Sequence, residues 1–425
     1  MREMKNSGVE WIGEIPEEWT KDKVIRLFNV IGSGTTPKNI TSDFPCVNWI
    51  QSGDINGSLI SDCKNNISKS IVSQYSALKI YAAPFIVIAM YGASVGNISI
   101  SLINGCVNQA CCVLSTSICN LNYAFYAIKS SQNYLVRKAI GGGQPNINQD
   151  TIKQLWLPLP ALPEQERIAA FLDAECAEID AVLEKTRASI EEYKKLKQAV
   201  ITQAVTKGVR GDRPMKDSGI EWIGDIPAEW SVVRIKNLFD YRNERNFRPL
   251  DEVNLISLYT DKGVVQHCDL EETTGNKASN ADGYKLVYEN DIVVNIILCW
   301  MGAIGRSAYC GVTSPAYDVY SPKQGINSKF YHYLFRTNGF SGDCYKVGRG
   351  IMAMRWRTYS DQFRAIKVVF PSQSEQEEII KYLDEKCAGI DALITKKQQY
   401  LTEIENYKKS LIYEYVTGKK EVHPL

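Results

Sequence analysis

Residues 4–28 read MKNSGVEWIGEIPEEWTKDKVIRLF, and residues 215–239 read MKDSGIEWIGDIPAEWSVVRIKNLF. At a constant offset of 211 residues, 14 of these 25 positions are identical. A second pair of blocks keeps the same offset: EQERIAAFLDAECAEIDAVLEK starts at Glu164, and EQEEIIKYLDEKCAGIDALITK starts at Glu375. Two separated blocks at one offset do not arise from composition. The chain is a tandem duplication, and that governs how the whole fold is read. Its 425 residues are two repeats of 211 with three left over.

The regions between the matching blocks, roughly 29–162 and 240–373, diverge in residues but keep an order of elements. Phe85-Ile-Val-Ile-Ala-Met leads into Tyr91-Gly-Ala-Ser-Val-Gly96, and Asp291-Ile-Val-Val-Asn-Ile-Ile precedes Met301-Gly-Ala-Ile-Gly305. Each reads as a buried strand entering a glycine turn. A helical segment (about 121–136 and 327–338), a glycine-rich turn and a short closing strand (Gln154–Leu157 or Ala365–Phe370) follow in both.

The paired blocks themselves read as long helices. Apolar residues at Leu172, Cys176, Ile179, Leu183 and Ile190, continued by Tyr193 and Leu196, and at Leu383, Cys387, Ile390, Ile394 and Leu401, continued by Ile404 and Tyr407, recur in steps of three, four and seven. Such a stripe predicts a helical seam. About 43 residues of helix span ~65 Å, more than one small domain is wide. The second helix is therefore expected to pack antiparallel on the first. The predicted fold is α+β: two paralogous mixed α/β domains joined by two long antiparallel coiled-coil helices, a pseudo-two-fold tandem repeat. The expected boundaries are 1–162 and 209–373 for the globular domains, with 163–208 and 374–425 for the helices and C-terminal tail.

Composition excludes several classes. The net charge of +1, with 44% hydrophobic and 23% charged residues, rules out a disordered or low-complexity chain. The longest apolar stretch, Ala82 to Tyr91, is too short to span a bilayer, and the polar N-terminus has no export signal, so a cytoplasmic location is expected. Twelve scattered cysteines without a Cys-x-x-Cys read as reduced thiols, and three histidines suggest no zinc cluster. No P-loop or HExxH occurs. The string Gly92-Ala-Ser94-Val-Gly96 has the form of a nucleophile elbow, but the first repeat contains no histidine to serve as base. Ser94 is better read as a turn residue, and the chain as non-catalytic, with no metal or cofactor of its own.

Local charge is more informative than the total. Residues 29–162 hold 8 Lys+Arg against 4 Asp+Glu, and residues 240–371 hold 16 against 14. In the second repeat Arg242, Arg245 and Arg248 cluster in YRNERNFR, and Arg349, Arg355 and Arg357 lie near Trp356. Arginine interleaved with aromatics suits phosphate contact and bidentate reading of bases. The first repeat offers amide-rich turns instead: Thr35, Thr36 and Lys38; Asn108 and Gln109; Gln144, Asn146 and Asn148. Asn and Gln pair with adenine edges but are equally common in turns. Arg306 and Tyr317 complete the candidate DNA-contacting set.

The two SG[VI]EWIG[ED]IP[EA]EW motifs, the two QE…LD…C…IDA blocks, GGGQPNI, and WMGAIG followed by Ser314-Pro-Ala-Tyr317 resemble type I restriction-modification specificity subunits, over essentially the whole chain. The second repeat departs from the pattern, carrying GRGIMAMRWR where the first has GGGQPNI. The resemblance implies two target-recognition domains, each reading one half of a bipartite, asymmetric DNA sequence. It also implies helices that dock two methyltransferase subunits, two restriction/translocase subunits beyond them, and S-adenosylmethionine, ATP and Mg²⁺ held by those partners. The alternative is a coiled-coil adaptor with no nucleic acid. A self-contained nuclease is disfavoured, since no metal-binding carboxylate constellation stands out.

Overall fold

Both long helices form, Leu162–Lys207 and Gln373–Val416. Pro163 sits in the first turn of the first, where its missing N–H would be unsatisfied anyway. The Ser372 hydroxyl accepts from the Glu375 amide at 3.4 Å at the start of the second. The computed structural model describes residues 2–38, 44–92, 94–139, 146–267, 280–350 and 356–422. It divides into two compact units, Met1–Arg187 with Gln399–Leu425, and Ala188–Gln398. Each unit thus takes part of both long helices.

The first unit is built on a five-stranded sheet in the order Val30–Gly32, Cys111–Ser115, Phe85–Ala89, Ile98–Ser101, Leu59–Ile60. The run Phe85–Ala89 is apolar throughout because the sheet is covered on both faces. Ile86 and Ile88 enter the main core with Tyr123, Ile128, Ile168, Leu172 and Leu411. Phe85, Val87 and Ala89 enter a smaller core with Ile50, Tyr81 and Val107. That second layer includes the three-stranded sheet Gly105–Val107, Cys46–Ile50, Asn66–Ser68. The expected helix over 121–136 is broken at Ser131 into Leu121–Ser130 and Gln132–Arg137, and the closing strand runs Trp156–Leu159, paired with Thr20–Lys23.

The second unit repeats the plan with a four-stranded sheet, Phe239–Arg242, Tyr317–Pro322, Ile292–Asn295, Ile304–Arg306. Ile292 and Val294 face the main core and Val293 the smaller one. Its helices are Ser328–Phe335 and Asn338–Val347, and Lys367–Phe370 pairs with Ser231–Arg234.

One set of polar locks fastens both globular parts to their helices. Trp19 Nε1 donates to Glu164 Oε2 at 3.0 Å, and Trp230 Nε1 to Glu375 Oε2 at 2.8 Å. Arg2 pairs with Glu164 at 2.7 Å, and Arg213 with Glu375 at 2.6 Å. Tyr126 donates to Asp173, and Tyr333 to Asp384, both at 2.8 Å. Every partner is displaced by 211 residues except the tyrosines, which lie 207 apart, and the tryptophans, glutamates and aspartates all fall inside the matching blocks. Burying an indole N–H or a carboxylate unpaired costs ~1–3 kcal/mol or more, so neither partner changes freely alone.

Within each unit the helix segments run antiparallel. In the first, Asp180 pairs with Lys408 at 2.5 Å and Arg187 with Glu405 at 2.6 Å. In the second, Lys197 pairs with Asp391 at 2.6 Å. These pairs are largely exposed, so they mark register and add little stability. Leu172, Cys176, Leu183, Ile190, Leu383, Cys387 and Ile390 are buried, and Ile179, Ile394 and Leu401 half-buried. The expected seam needs two corrections. Leu172, Cys176, Leu383 and Cys387 are covered by the globular cores as much as by the other helix. Leu196 and Tyr407, on the predicted stripe, are 48% and 56% exposed. A helix of 3.6 residues per turn drifts away from any fixed seam unless it supercoils.

Candidate nucleic-acid interface

In the first unit the sheet brings three chain segments to one end. Val113 lies opposite Gly32 and Cys111 opposite Ala89, all antiparallel. The exit of Val30–Gly32, the entry to Cys111–Ser115 and the exit of Phe85–Ala89 therefore share that end. Thr35, Thr36 and Lys38 follow the first, Asn108 and Gln109 precede the second, and Tyr91 follows the third and bridges to Asn146. The Thr36 hydroxyl donates to Gln109 Oε1 at 2.5 Å. Thr36, Lys38, Gln109 and Asn146 are exposed.

Gly34 is what lets these loops meet. A Cβ there would lie 1.6 Å from the Val107 carbonyl oxygen, and one on Gly32 would lie 2.2 Å from the Tyr81 hydroxyl. Tyr81 in turn donates to the Ser33 carbonyl at 2.9 Å. Two of the candidates do structural work. Asn148 Oδ1 caps the helix Gln149–Lys153 by accepting from the Thr151 amide at 2.7 Å, and Asn108 Oδ1 accepts from the Ala110 amide at 3.1 Å. Gln144 and Arg355 lie outside the described residues. Ser94 sits in the turn after Phe85–Ala89, its carbonyl accepting from the Asn97 amide at 2.9 Å.

The equivalent end of the second unit gathers a different set. Tyr317 lies opposite Asn295, and the Thr358 amide donates to the Ile296 carbonyl at 2.9 Å, just as Ile147 donates to Met90 at 2.8 Å in the first unit. Arg357 is thereby placed where Asn146 stands in the first repeat. Its backbone pairs with that of Arg349 in both directions at 2.9 Å. Tyr317 is half-buried and packs into the smaller core; that burial raises its phenol pKa.

Other candidates are committed elsewhere. Arg242 Nε donates to Asp291 Oδ2 at 2.9 Å and Nη1 to Glu244 at 2.6 Å, with the guanidinium 4.5 Å from the Tyr288 ring centre. Burial raises the Asp291 carboxyl pKa, and the Tyr288 amide and Arg242 oppose this. Arg306 donates twice to Asn290 Oδ1, at 2.8 and 2.6 Å, and lies opposite Ile292, at the far end of the strand from Asn295. Arg245 is held by the Gly283 carbonyl at 3.0 Å, whereas Arg248 is exposed beside Phe247.

Sequence reasoning missed an aromatic group at this end. Tyr345 and Trp356 stack at 4.8 Å with ring planes 20° apart, and Trp300 lies 5.6 Å from Tyr345. Trp356 Nε1 donates to the Tyr345 carbonyl at 3.1 Å, and the indole lies so close to Gly348 that a Cβ there would meet Nε1 at 2.3 Å. The available signal was the glycine turn after the strand. Gly92 and Gly302 both adopt left-handed φ, 86° and 87°, which marks the residues before them as a turn tip. Among the described residues no group of three His, Cys, Asp or Glu is arranged to hold a metal ion, and no helix is long and apolar enough to cross a membrane.

The duplicated α+β units, with polar and basic side chains at matching sheet ends, define a class of tandem recognition proteins. The family model for the type I restriction modification DNA specificity domain matches twice, at residues 16–192 and 227–403, and the chain belongs to that family. The family's general role is recognition of a DNA target. The chain is 26% identical over 320 residues to the type I restriction enzyme MjaVIII specificity subunit of Methanocaldococcus jannaschii, covering 71% of each. It is 24% identical over 356 residues to the EcoDI specificity subunit of Escherichia coli, covering 76% of each. Its fold is similar to a chain solved in work on complex assembly and conformational transition of the type I R-M system. That match has a TM-score of 0.71 and 14% identity, and covers 96% of this chain and 99% of the other.

Proposed function

We propose that this chain reads a bipartite, asymmetric DNA target, one half-site per unit, and carries methyltransferase and restriction subunits to it. The observation that supports this most is the repeated strand-end frame. The same backbone closure, Ile147 onto Met90 and Thr358 onto Ile296, presents Asn146 in one repeat and Arg357 in the other, with Thr36 and Gln109 near the first and Arg349 paired to the second. Equal frames with unequal polar side chains are what two readers of different sequences require. An adaptor without nucleic acid leaves that divergence unexplained.

In this reading the chemistry belongs to the partners. The methyltransferase subunits bring S-adenosylmethionine and modify adenine, and the restriction subunits bring ATP-dependent translocation and Mg²⁺-dependent cleavage. Exposed helix residues such as Val182, Leu196, Leu393 and Tyr400 suit partner docking. So does a cleft of about 980 Å³ in the first unit, lined by Lys129, Asp180, Arg187, Glu405 and Lys408. The near-neutral total charge fits partners that share the phosphate contacts.

Mapping methylated adenines genome-wide, in a host with and without this gene, tests the proposal. A split motif methylated only when the gene is present is the expected result. If the purified chain with its methyltransferase retains no duplex selectively, the adaptor reading replaces it.

A further inference from the structure

We propose that the turn Leu298–Gly302 of the second unit is an apolar wedge that enters the base stack of its half-site, with Met301 at the tip. The inference rests on the DNA-reading function proposed above and goes further, naming the mode of contact.

The turn follows the strand Ile292–Asn295 and is stiffly built. Asn295 Oδ1 accepts from the amides of Ile297 and Leu298 at 3.0 and 3.3 Å. Residues Cys299–Met301 form a 3₁₀ turn closed by Gly302 in the left-handed region. Cys299 is fully buried and anchors the turn in the core beside Cys344. Trp300 Nε1 donates to the Ile297 carbonyl at 2.9 Å, and its ring is backed by the Tyr345–Trp356 stack.

A turn so well supported presents an unusual tip. Met301 is 53% exposed and Leu298 38%, with Tyr345 at 49% beside them. Rigid apolar groups facing water at a turn are a standing cost unless something covers them. The surroundings indicate what does. Trp356 is followed by Arg357, whose backbone pairs with that of Arg349, so two arginines stand in the segment that carries the aromatic backing of the tip. Cations at the margin with an apolar centre match a duplex whose phosphates are neutralised while a side chain parts one base step. Unstacking costs a few kcal/mol per step, so the wedge must not yield, and the aromatic backing supplies that stiffness. In the first unit the hairpin pairs Ile88 with Ile98 as Val294 pairs with Ile304 here, which puts Val95 at the place of Met301; Val95 is half-buried and packs against the main core, so the wedge belongs to one half-site only.

The test uses the full chain in complex with its methyltransferase partner and duplexes of the mapped target. 2-Aminopurine is placed in turn at each position of the two half-sites. Binding should brighten one position in the second half-site and none in the first. M301S should abolish the brightening and weaken binding by roughly tenfold, on the scale of one lost base-level contact, while M301L preserves both. Unchanged thermal midpoints would show that both variants fold. If wild-type complex retains the target but nothing brightens, the wedge is wrong and DNA reading stands. If M301S keeps DNA affinity and releases the methyltransferase, the tip is a protein-docking surface and the wedge is likewise wrong. If the wild-type complex retains no target, the underlying reading fails with it.

Discussion

Asn146 and Arg357 hold the same place in the repeated frame, 211 residues apart. Each stands one residue before an amide that closes onto a strand-end carbonyl: Ile147 onto Met90 at 2.8 Å, Thr358 onto Ile296 at 2.9 Å. The frame is kept and the side chain is changed, which separates the folding role of this segment from the reading role proposed for it.

Replacing Arg357 by Ala should therefore weaken or relax only the half-site read by the second unit, and Asn146 by Ala only that read by the first. A lost base contact is worth about 1–3 kcal/mol of discrimination. Methylation frequencies at single-base variants of the target measure this directly. Equal damage to both half-sites from either variant would place these residues wrongly.

Gly34→Ala should disturb the first half-site alone. The added Cβ meets the backbone carbonyl of Val107 at 1.6 Å, an obstacle that no side-chain rotation removes. The loop carrying Thr35, Thr36 and Lys38 must shift away from Gln109, at a cost of about 1–3 kcal/mol. Recognition of the first half-site should fall while methylation at isolated second half-site variants keeps its usual base preference.

Acid should loosen the second unit through His332. This imidazole is half-buried, accepts from the Arg306 amide at its Nδ1 at 3.1 Å, and faces Arg336, Arg306, Lys329 and Asp384. Burial first, and then the neighbouring cations, push its pKa down to about 3 from 6.5. With the folded value depressed, the unfolded chain binds the extra proton first. The contribution is complete above about pH 6.5 and is lost as pH falls toward 3, by up to about 1.4 kcal/mol per pH unit. Urea midpoints at pH 7.5 and 5.5 should differ for the wild type, and the His332→Gln variant should lose that part of the difference.

Inserting about one helical turn after Ser189, four residues or about 6 Å, should lengthen the gap between half-sites and leave each half-site sequence unchanged. Methylome mapping reads both at once. An unaltered gap would remove the long helices as the spacing element.

Much of this architecture was legible because duplication wrote it twice. The tryptophan–glutamate locks at Trp19–Glu164 and Trp230–Glu375 lie inside the matching blocks, so the residues that bind helix to domain were visible as repeats. The apolar runs at Phe85 and Ile292 announced strands buried on both faces. Contact residues carry no such mark: an arginine in a loop looks the same whether it meets a phosphate or a carboxylate. Arg242 and Arg306 therefore entered the candidate set although Asp291, Glu244 and Asn290 occupy them. The aromatic stack was missed because Trp300, Tyr345 and Trp356 are far apart in the chain and share no periodicity.

By itself, the sequence determined the tandem repeat, the two long helices, the order of elements along each divergent region and the family, since each rests on local pattern or on identity at a fixed offset. Tertiary structure alone decided which polar groups remain available. Hydrogen bonding to a neighbouring side chain consumes a side chain's donors, and only the folded chain brings Asp291, Glu244 or Asn290 within about 3 Å of an arginine.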